Sequence, residues 1–446
     1  MKEFPKVEDT SIWLQIYYGL FKPIKYLQLA QKKYGNIFFA QGPLFKEGAI
    51  IVGDPKALKQ ILTASSELFE SSSKKTALAF VVGNSALAML EGKAHKRAKK
   101  LIMPSFHGKN LKLYTQSIKD ITTKIVKQWS LGKDIFLYSQ VKEISMKVLS
   151  QIMLSINEGE KYIKLRDMVM NYQDSFNSPR KLLLLFMPIL QRDIGFWSPW
   201  GKLLRKQNLL NNFLMNEISQ RDCNIKKNDI LNMLICAKDE NNQSLSKEEL
   251  RDELFVFFLT GNETIPASIT YALYWIHKLP HVKKKLLDEL SSEDDLSDVM
   301  KLMSFPYLNA ICQEILRLYP VFLFTFPRIT KVRFELMGVD VKPGTMFLPC
   351  IYLAHYNSDI YTNPQQFQPE RFIENSYNSY EYLPFGGGNR RCLGETLSIF
   401  MMKIIIATIL KTSTLTLSSS NSIQLKPRGL VYAPANNIKM KLESFL

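Results

Sequence analysis

The chain has 446 residues, 46% of them hydrophobic, and 58 Lys and Arg against 41 Asp and Glu give a formal net charge of +17. That length and apolar share exclude a disordered or fibrous chain and allow one large core. The basic residues are spread without a nucleic-acid module signature, so a solvated Lys-rich surface or an acidic protein partner fits the charge better than nucleic acid.

The first ten residues are polar and charged, and Lys22, Pro23 and Lys25 interrupt the segment Ser11 to Leu29. No run there approaches the roughly 20 apolar residues of a membrane span, nor the basic-then-apolar layout of a signal peptide. A cytoplasmic protein is expected. Core packing of Trp13, Tyr17, Tyr18 and Phe21 is the expectation, with a peripheral membrane contact as its alternative. Asn36 to Ala40 and Ala49 to Val52 alternate as a hairpin around Gly42 and Pro43. Apolar residues then recur at helical spacing over Leu113 to Trp129, Tyr138 to Ile156 and Gln207 to Ile218.

Ser246 is an N-cap with Glu248 and Glu249 in the first turn, where carboxylates favour the helix dipole. The helix it opens runs to about His277, is stopped by Pro280, and is apolar on most faces from Leu254 onward, as in a buried central helix. Within it, Pro266 has no N–H for the carbonyl of Asn262, which predicts a local kink. Tyr307 to Leu318 reads as a further helix, followed by short strands over Val332 to Leu336, Val339 to Val341 and Thr345 to Leu348. A helical run over Thr396 to Leu410 precedes an alternating C-terminus. No linker or repeat divides the chain. The expectation is one domain over residues 1–446, mainly α, with small peripheral β-sheets.

Five cysteines, Cys223, Cys236, Cys312, Cys350 and Cys392, show neither metal spacing nor a disulfide framework. Four are expected to be buried apolar fillers in a reducing compartment. Cys392 differs, because it lies in Pro384 to Gly394, PFGGGNRRCLG, just before a helical run. The glycines Gly386 to Gly388 let the backbone approach a flat cofactor, and a helix N-terminus favours thiolate, the form that binds iron.

Phe385, Gly388, Arg390, Cys392 and Gly394 fit the pattern F-x-x-G-x-R-x-C-x-G, and the segment resembles the heme loop of the cytochrome P450 family. The resemblance implies heme b (iron protoporphyrin IX), with Cys392 as iron ligand, Arg390 paired with a propionate and Phe385 packed on the loop. It extends upstream from about His95. Glu314 and Arg317, one helical turn apart, and Arg371 in the run Pro369 to Phe372 resemble the family's structural charge triad. Arg328 resembles a further propionate-binding arginine. His95 and Lys99 occupy the place of its W-x-x-x-R motif, although Lys99 cannot make a guanidinium fork. Met103 to His107 is most similar to cyanobacterial members.

Thr260-Gly261-Asn262-Glu263-Thr264 resembles the family's oxygen-binding element. By that resemblance Gly261 lets the helix lie near the heme, Thr264 offers a hydroxyl, and Glu263 passes protons inward. Thr260 stands where Ala or Gly is usual. The implied activity is hydroxylation of a small apolar substrate (a fatty acid, alkane or terpenoid) with O2 and electrons from a separate ferredoxin- or flavodoxin-type donor. A reductase-independent peroxygenase or isomerase, or a heme-binding sensor, is the alternative. Thr76 to Leu90, Phe186 to Leu190, Phe255, Phe257, Phe258 and Leu323 to Phe326 are the candidate pocket residues.

Overall fold

A computed structural model describes the chain except residues 1–3, 6–17, 19–20, 43–44, 71–76, 179–180, 182–183, 186, 188–189, 226, 292–298, 419–422, 429–430 and 435–437. Trp13, Tyr17, Pro43, Thr76 and Phe186 therefore lie outside the described residues. Eight helices position the site: α1 (Gly92–Ile102), α2 (Lys109–Val126), α3 (Leu137–Leu154), α4 (Gly159–Gln173), α5 (Pro199–Ser219), α6 (Lys247–Lys278), α7 (Pro306–Leu318) and α8 (Glu395–Thr412). Shorter helices connect them.

The long helix α6 starts where its sequence directs. The Ser246 hydroxyl accepts from the Glu249 amide at 3.1 Å, and the Glu249 carboxylate accepts from the Ser246 amide at 2.8 Å. This reciprocal cap satisfies two amides that the first turn leaves unpaired. Around α6 pack α3, α5, α7 and α8, and α2 lies against α8. Helix α8 is buried almost all round, from Phe400 to Leu410, so it and α6 form the core into which the amphipathic helices press their apolar faces. Helix α6 continues through Pro266 without ending. The proline removes one amide donor, and the buried neighbours Ile265 and Ala267 hold the segment in place.

The strands are short and peripheral. Ile37–Gly42 (β1), Phe45–Val52 (β2), Phe69–Glu70 (β3), Arg328–Thr330 (β4) and Met346–Pro349 (β5) form one sheet in the order β1-β2-β5-β4-β3. Its register places Ile51 beside Leu348 in the parallel β2–β5 pair. Strands over Phe334–Leu336 and Val339–Val341 pair with each other, and the C-terminal strands form two further small sheets. Helices and strands therefore arise where the apolar periodicity places them, with ends shifted by a few residues. Helix α5 begins eight residues before its apolar pattern, because Ser198 caps it and Pro199 opens it.

The cysteines divide differently from expectation. Cys312 and Cys350 are buried and free, but Cys223 and Cys236 form a disulfide at the surface. A thirteen-residue separation gives no sequence signal for pairing. The turn after α5 brings the two together.

Candidate active site

A cavity of about 650 Å³ separates α6 from the Cys392 loop. The loop is over-determined. The Cys392 amide donates to the Phe385 carbonyl at 2.9 Å, and the Gly386 amide to the Leu383 carbonyl at 2.9 Å. Gly388 has φ +65°, and a Cβ there would stand 1.9 Å from the Leu62 carbonyl oxygen. Only glycine fits at that position. Gly394 caps the N-terminus of α8, two residues after Cys392.

Cys392 is surrounded by protein but keeps accessible surface, because it faces the cavity. Burial pushes its thiol above the ordinary value, while the Gly394 and Glu395 amides and Arg391 pull the other way. This reverses the expected thiolate preference. The protein's own groups hold a thiol, and a bound metal cation supplies the charge that releases its proton.

Beneath the loop, the Glu314, Arg317 and Arg371 triad is assembled and buried. Arg317 forms a two-pronged pair with Glu314 at 2.7 and 2.9 Å, and Arg371 reaches Glu314 at 3.0 Å. The Arg317 guanidinium also donates to the carbonyls of His355 and Pro364, each at 2.8 Å. His355, which the sequence reading did not single out, connects this network to the cysteine loop. Its Nε2 accepts from the Leu383 amide at 3.0 Å, so Nδ1 carries the proton and donates to the Arg317 carbonyl at 3.1 Å. Burial, reinforced by Arg317, lowers His355 to about 3 and keeps it neutral.

At one edge of the cavity His95, Lys99, Arg328 and Arg390 converge. Lys99 donates to the Asn389 carbonyl at 3.0 Å, and Arg390 to the carbonyls of Leu87 and Leu90 at 3.2 and 2.5 Å. Among the described residues none of these cations has a carboxylate within ion-pair distance. Burial and then Arg390 lower Arg328 to about 10, and burial, Arg390, Lys99 and Arg328 together lower His95 to about 4. A flat apolar slot between a cysteine and a helix, edged by mutually repelling cations, fits a planar macrocycle bearing carboxylates. Heme b fits these residues.

On the opposite wall, Val256, Phe257, Thr260, Gly261, Glu263, Thr264 and Ser268 of α6 line the cavity. The Thr260 hydroxyl donates back to the Val256 carbonyl at 2.8 Å, so it is satisfied within the helix. A Cβ on Gly261 would meet Leu149 Cδ1 at 3.0 Å, so its missing side chain admits α3 rather than a ligand. The Glu263 carboxylate accepts from Tyr138 Oη at 2.7 Å and is ion-paired with Lys142. Nothing in the sequence marks Tyr138 and Lys142 as its partners; they lie more than a hundred residues away. Asp252 and Glu253, at the start of α6, clamp the loop carrying Ser85 and Leu87. Ser85 donates its amide to Asp252 at 2.9 Å, and Leu87 to Glu253, which burial pushes up to about 8.

Of the predicted pocket residues, Val81, Val82, Leu87, Ala88, Phe257, Phe324, Thr325 and Phe326 line the cavity. Phe255 does not; it packs edge-on against Tyr172 at 5.1 Å. At 100° per residue, Phe257 shares the face of Thr260 and Thr264 while Phe255 points away.

A sequence profile described as Cytochrome P450 matches residues 10–442. The chain is similar to cytochrome P450 135B1 of Mycobacterium tuberculosis, 24% identical over 427 residues, covering 94% of this chain and 87% of the relative. It is similar also to cytochrome P450 135A1 of the same organism, 25% identical over 395 residues, with 88% and 84% covered. Among solved structures, a cyanobacterial CYP120A1 with bound retinoic acid superposes with a TM-score of 0.83 at 22% identity, over 99% of both chains.

Proposed function

The chain belongs to the cytochrome P450 family, oxidoreductases that carry heme b, and from that premise we propose that it hydroxylates a small apolar substrate, a fatty acid, alkane or terpenoid, in the cavity between Cys392 and α6. The net reaction is R–H + O2 + two electrons + two protons → R–OH + H2O. Heme, held by a thiolate, supplies the activation of dioxygen.

The residues take the following roles in this reading. Cys392 is the iron ligand, with Phe385, Gly388 and Gly394 shaping its loop. Arg328, Arg390, His95 and Lys99 hold the propionates. Thr264 presents its hydroxyl to the cavity. Glu263 is kept as a carboxylate by Lys142, and Tyr138 Oη and Lys142 Nζ are the donors from which it draws protons. The largely apolar lining, with Phe257, Phe324 and Phe326, excludes water and favours an apolar guest. Electrons come from a separate ferredoxin- or flavodoxin-type protein, attracted by the basic face around Lys96, Lys100 and Arg391. The cytoplasm is the proposed compartment.

The observation that carries this reading is the placement of Cys392 and Thr264 on opposite walls of one cavity with four cations at its edge. The test is the reduced carbon monoxide spectrum of the purified protein, followed by product analysis with O2 and a surrogate reductase. A Soret band near ~450 nm is expected, and one near ~420 nm in folded protein counts against thiolate ligation. Oxygen-dependent product formation separates a monooxygenase from a sensor, and dependence on the reductase separates it from a peroxygenase.

A further inference from the structure

The largest departure from ordinary surface chemistry lies between the cavity and α5. Ile194, Phe196 and Trp197 are 82%, 71% and 83% exposed, and Met187 and Leu190 nearby are exposed too. Single exposed apolar residues are unremarkable, but a cluster of large side chains this exposed marks an interaction surface.

The exposure is built rather than loose. Asp193 accepts from the Gly195 amide and the Ser198 hydroxyl, each at 3.1 Å, and Ser198 in turn caps α5 by accepting from the Gly201 amide at 3.0 Å. Arg205 donates to the Phe196 carbonyl at 3.0 Å. Gly195 has φ +102°, a conformation that other residues adopt only under strain. The turn thus satisfies its polar groups inward and presents its apolar side chains outward.

Cations surround them. Lys202 Nζ lies 5.9 Å from the centre of the Trp197 ring, and the Arg205 guanidinium 5.6 Å from that of Phe196. From Met187 to Lys206 the cations are Arg192, Lys202, Arg205 and Lys206, against the single carboxylate Asp193. Exposed aromatics beside snorkelling cations match the boundary between anionic headgroups and acyl chains. A second copy of this chain would bring the same excess of positive charge to the contact. The patch also adjoins the cavity rim: Trp200 stacks on Phe80 at 4.3 Å, and the next residues, Val81 and Val82, line the cavity together with Phe176 and Leu185.

We propose that the turn over residues 190–197 docks on the surface of an anionic lipid bilayer, seating Ile194, Phe196 and Trp197 at the acyl boundary and bringing the cavity rim to the lipid. No helix among the described residues is long and apolar enough to cross a membrane, so the contact is peripheral.

The test is flotation of the holoprotein with vesicles of phosphatidylcholine alone or mixed with phosphatidylglycerol. The wild type is expected to float with the mixed vesicles and to be released by salt. An I194S/F196S/W197S variant is expected to lose at least about ten-fold in partitioning, as three buried apolar side chains require. R192E/K202E, which leaves the turn's own hydrogen bonds intact, should lose several-fold. Brominated lipid should quench part of the tryptophan emission of the wild type, and that part should vanish in W197F. The triple variant should melt and elute as the wild type does, since its positions are exposed. A wild type that stays unbound, or a triple variant that floats equally well, overturns the proposal. So does a triple variant that turns a dimer into a monomer without altering flotation, which would assign the face to a second copy. Flotation does not depend on turnover, so failure here leaves the monooxygenase reading intact, and failure of that reading leaves this one.

Discussion

The two walls of the cavity are built on opposite principles. Under the cysteine loop every strong polar group is answered: Glu314 by Arg317 and Arg371, Arg317 by two carbonyls, His355 by an amide and a carbonyl. On the α6 side the lining is mostly apolar, with Glu263 its best-connected ionisable group, and beyond it the surface exposes aromatic side chains. One wall must hold a cofactor in fixed geometry, so its residues over-constrain one another. The other must admit varied guests, so it offers shape and few fixed polar contacts.

Breaking the rigid wall should cost most. Glu314→Ala leaves two buried guanidiniums uncompensated and should destabilise the protein by about 3–5 kcal/mol, with loss of bound heme, read by thermal melting and the Soret band. Next comes Glu263→Gln on the other wall. It keeps hydrogen bonds near Tyr138 and Lys142 but removes the carboxylate, and turnover should fall by roughly 10²-fold with a solvent isotope effect. Stability should change by less than about 1 kcal/mol, since surface-like substitutions without a cavity cost little. Equal turnover in that variant would remove Glu263 from proton delivery.

Gly388→Ala sharpens the contrast at a single backbone position. Its Cβ meets the Leu62 carbonyl oxygen at a positive φ, so a loss of about 1–3 kcal/mol and a loosened cysteine loop are expected. The equivalent change at Gly261 meets only the flexible tip of Leu149, and it should be the milder of the two in a melting comparison.

The smallest effect is graded by pH. His355 and His277 are neutral in the fold, held at about 3 and about 4 chiefly by burial. The unfolded chain binds protons at these sites below its ordinary value of about 6.5, whereas the folded chain does not until far lower. Stability contributed by each is therefore full above pH 6.5 and lost as pH falls toward 4 or 3, at up to about 1.4 kcal/mol per pH unit per group. Denaturant midpoints measured between pH 7 and pH 5 should fall. A flat profile would mean that His355 does not link the triad to the cysteine loop in neutral form.

Much of this was legible in the chain. The run from Pro384 to Gly394, the pair Glu314 and Arg317, and the Ser246 cap are local patterns, in which spacing of a few residues fixes geometry. Periodicity likewise placed α2, α3, α6 and α8, because a buried face repeats along its own helix. What lay hidden joins distant segments. The sequence could not show that Lys142 and Tyr138 take the Glu263 carboxylate, that His355 ties the triad to Leu383, or that Gly261 makes room for Leu149. Nor could it show that Cys223 meets Cys236, or that burial outweighs the helix amides at Cys392. Hydrogen bonding and desolvation act through space, and only the folded packing decides which groups meet and which lose their water.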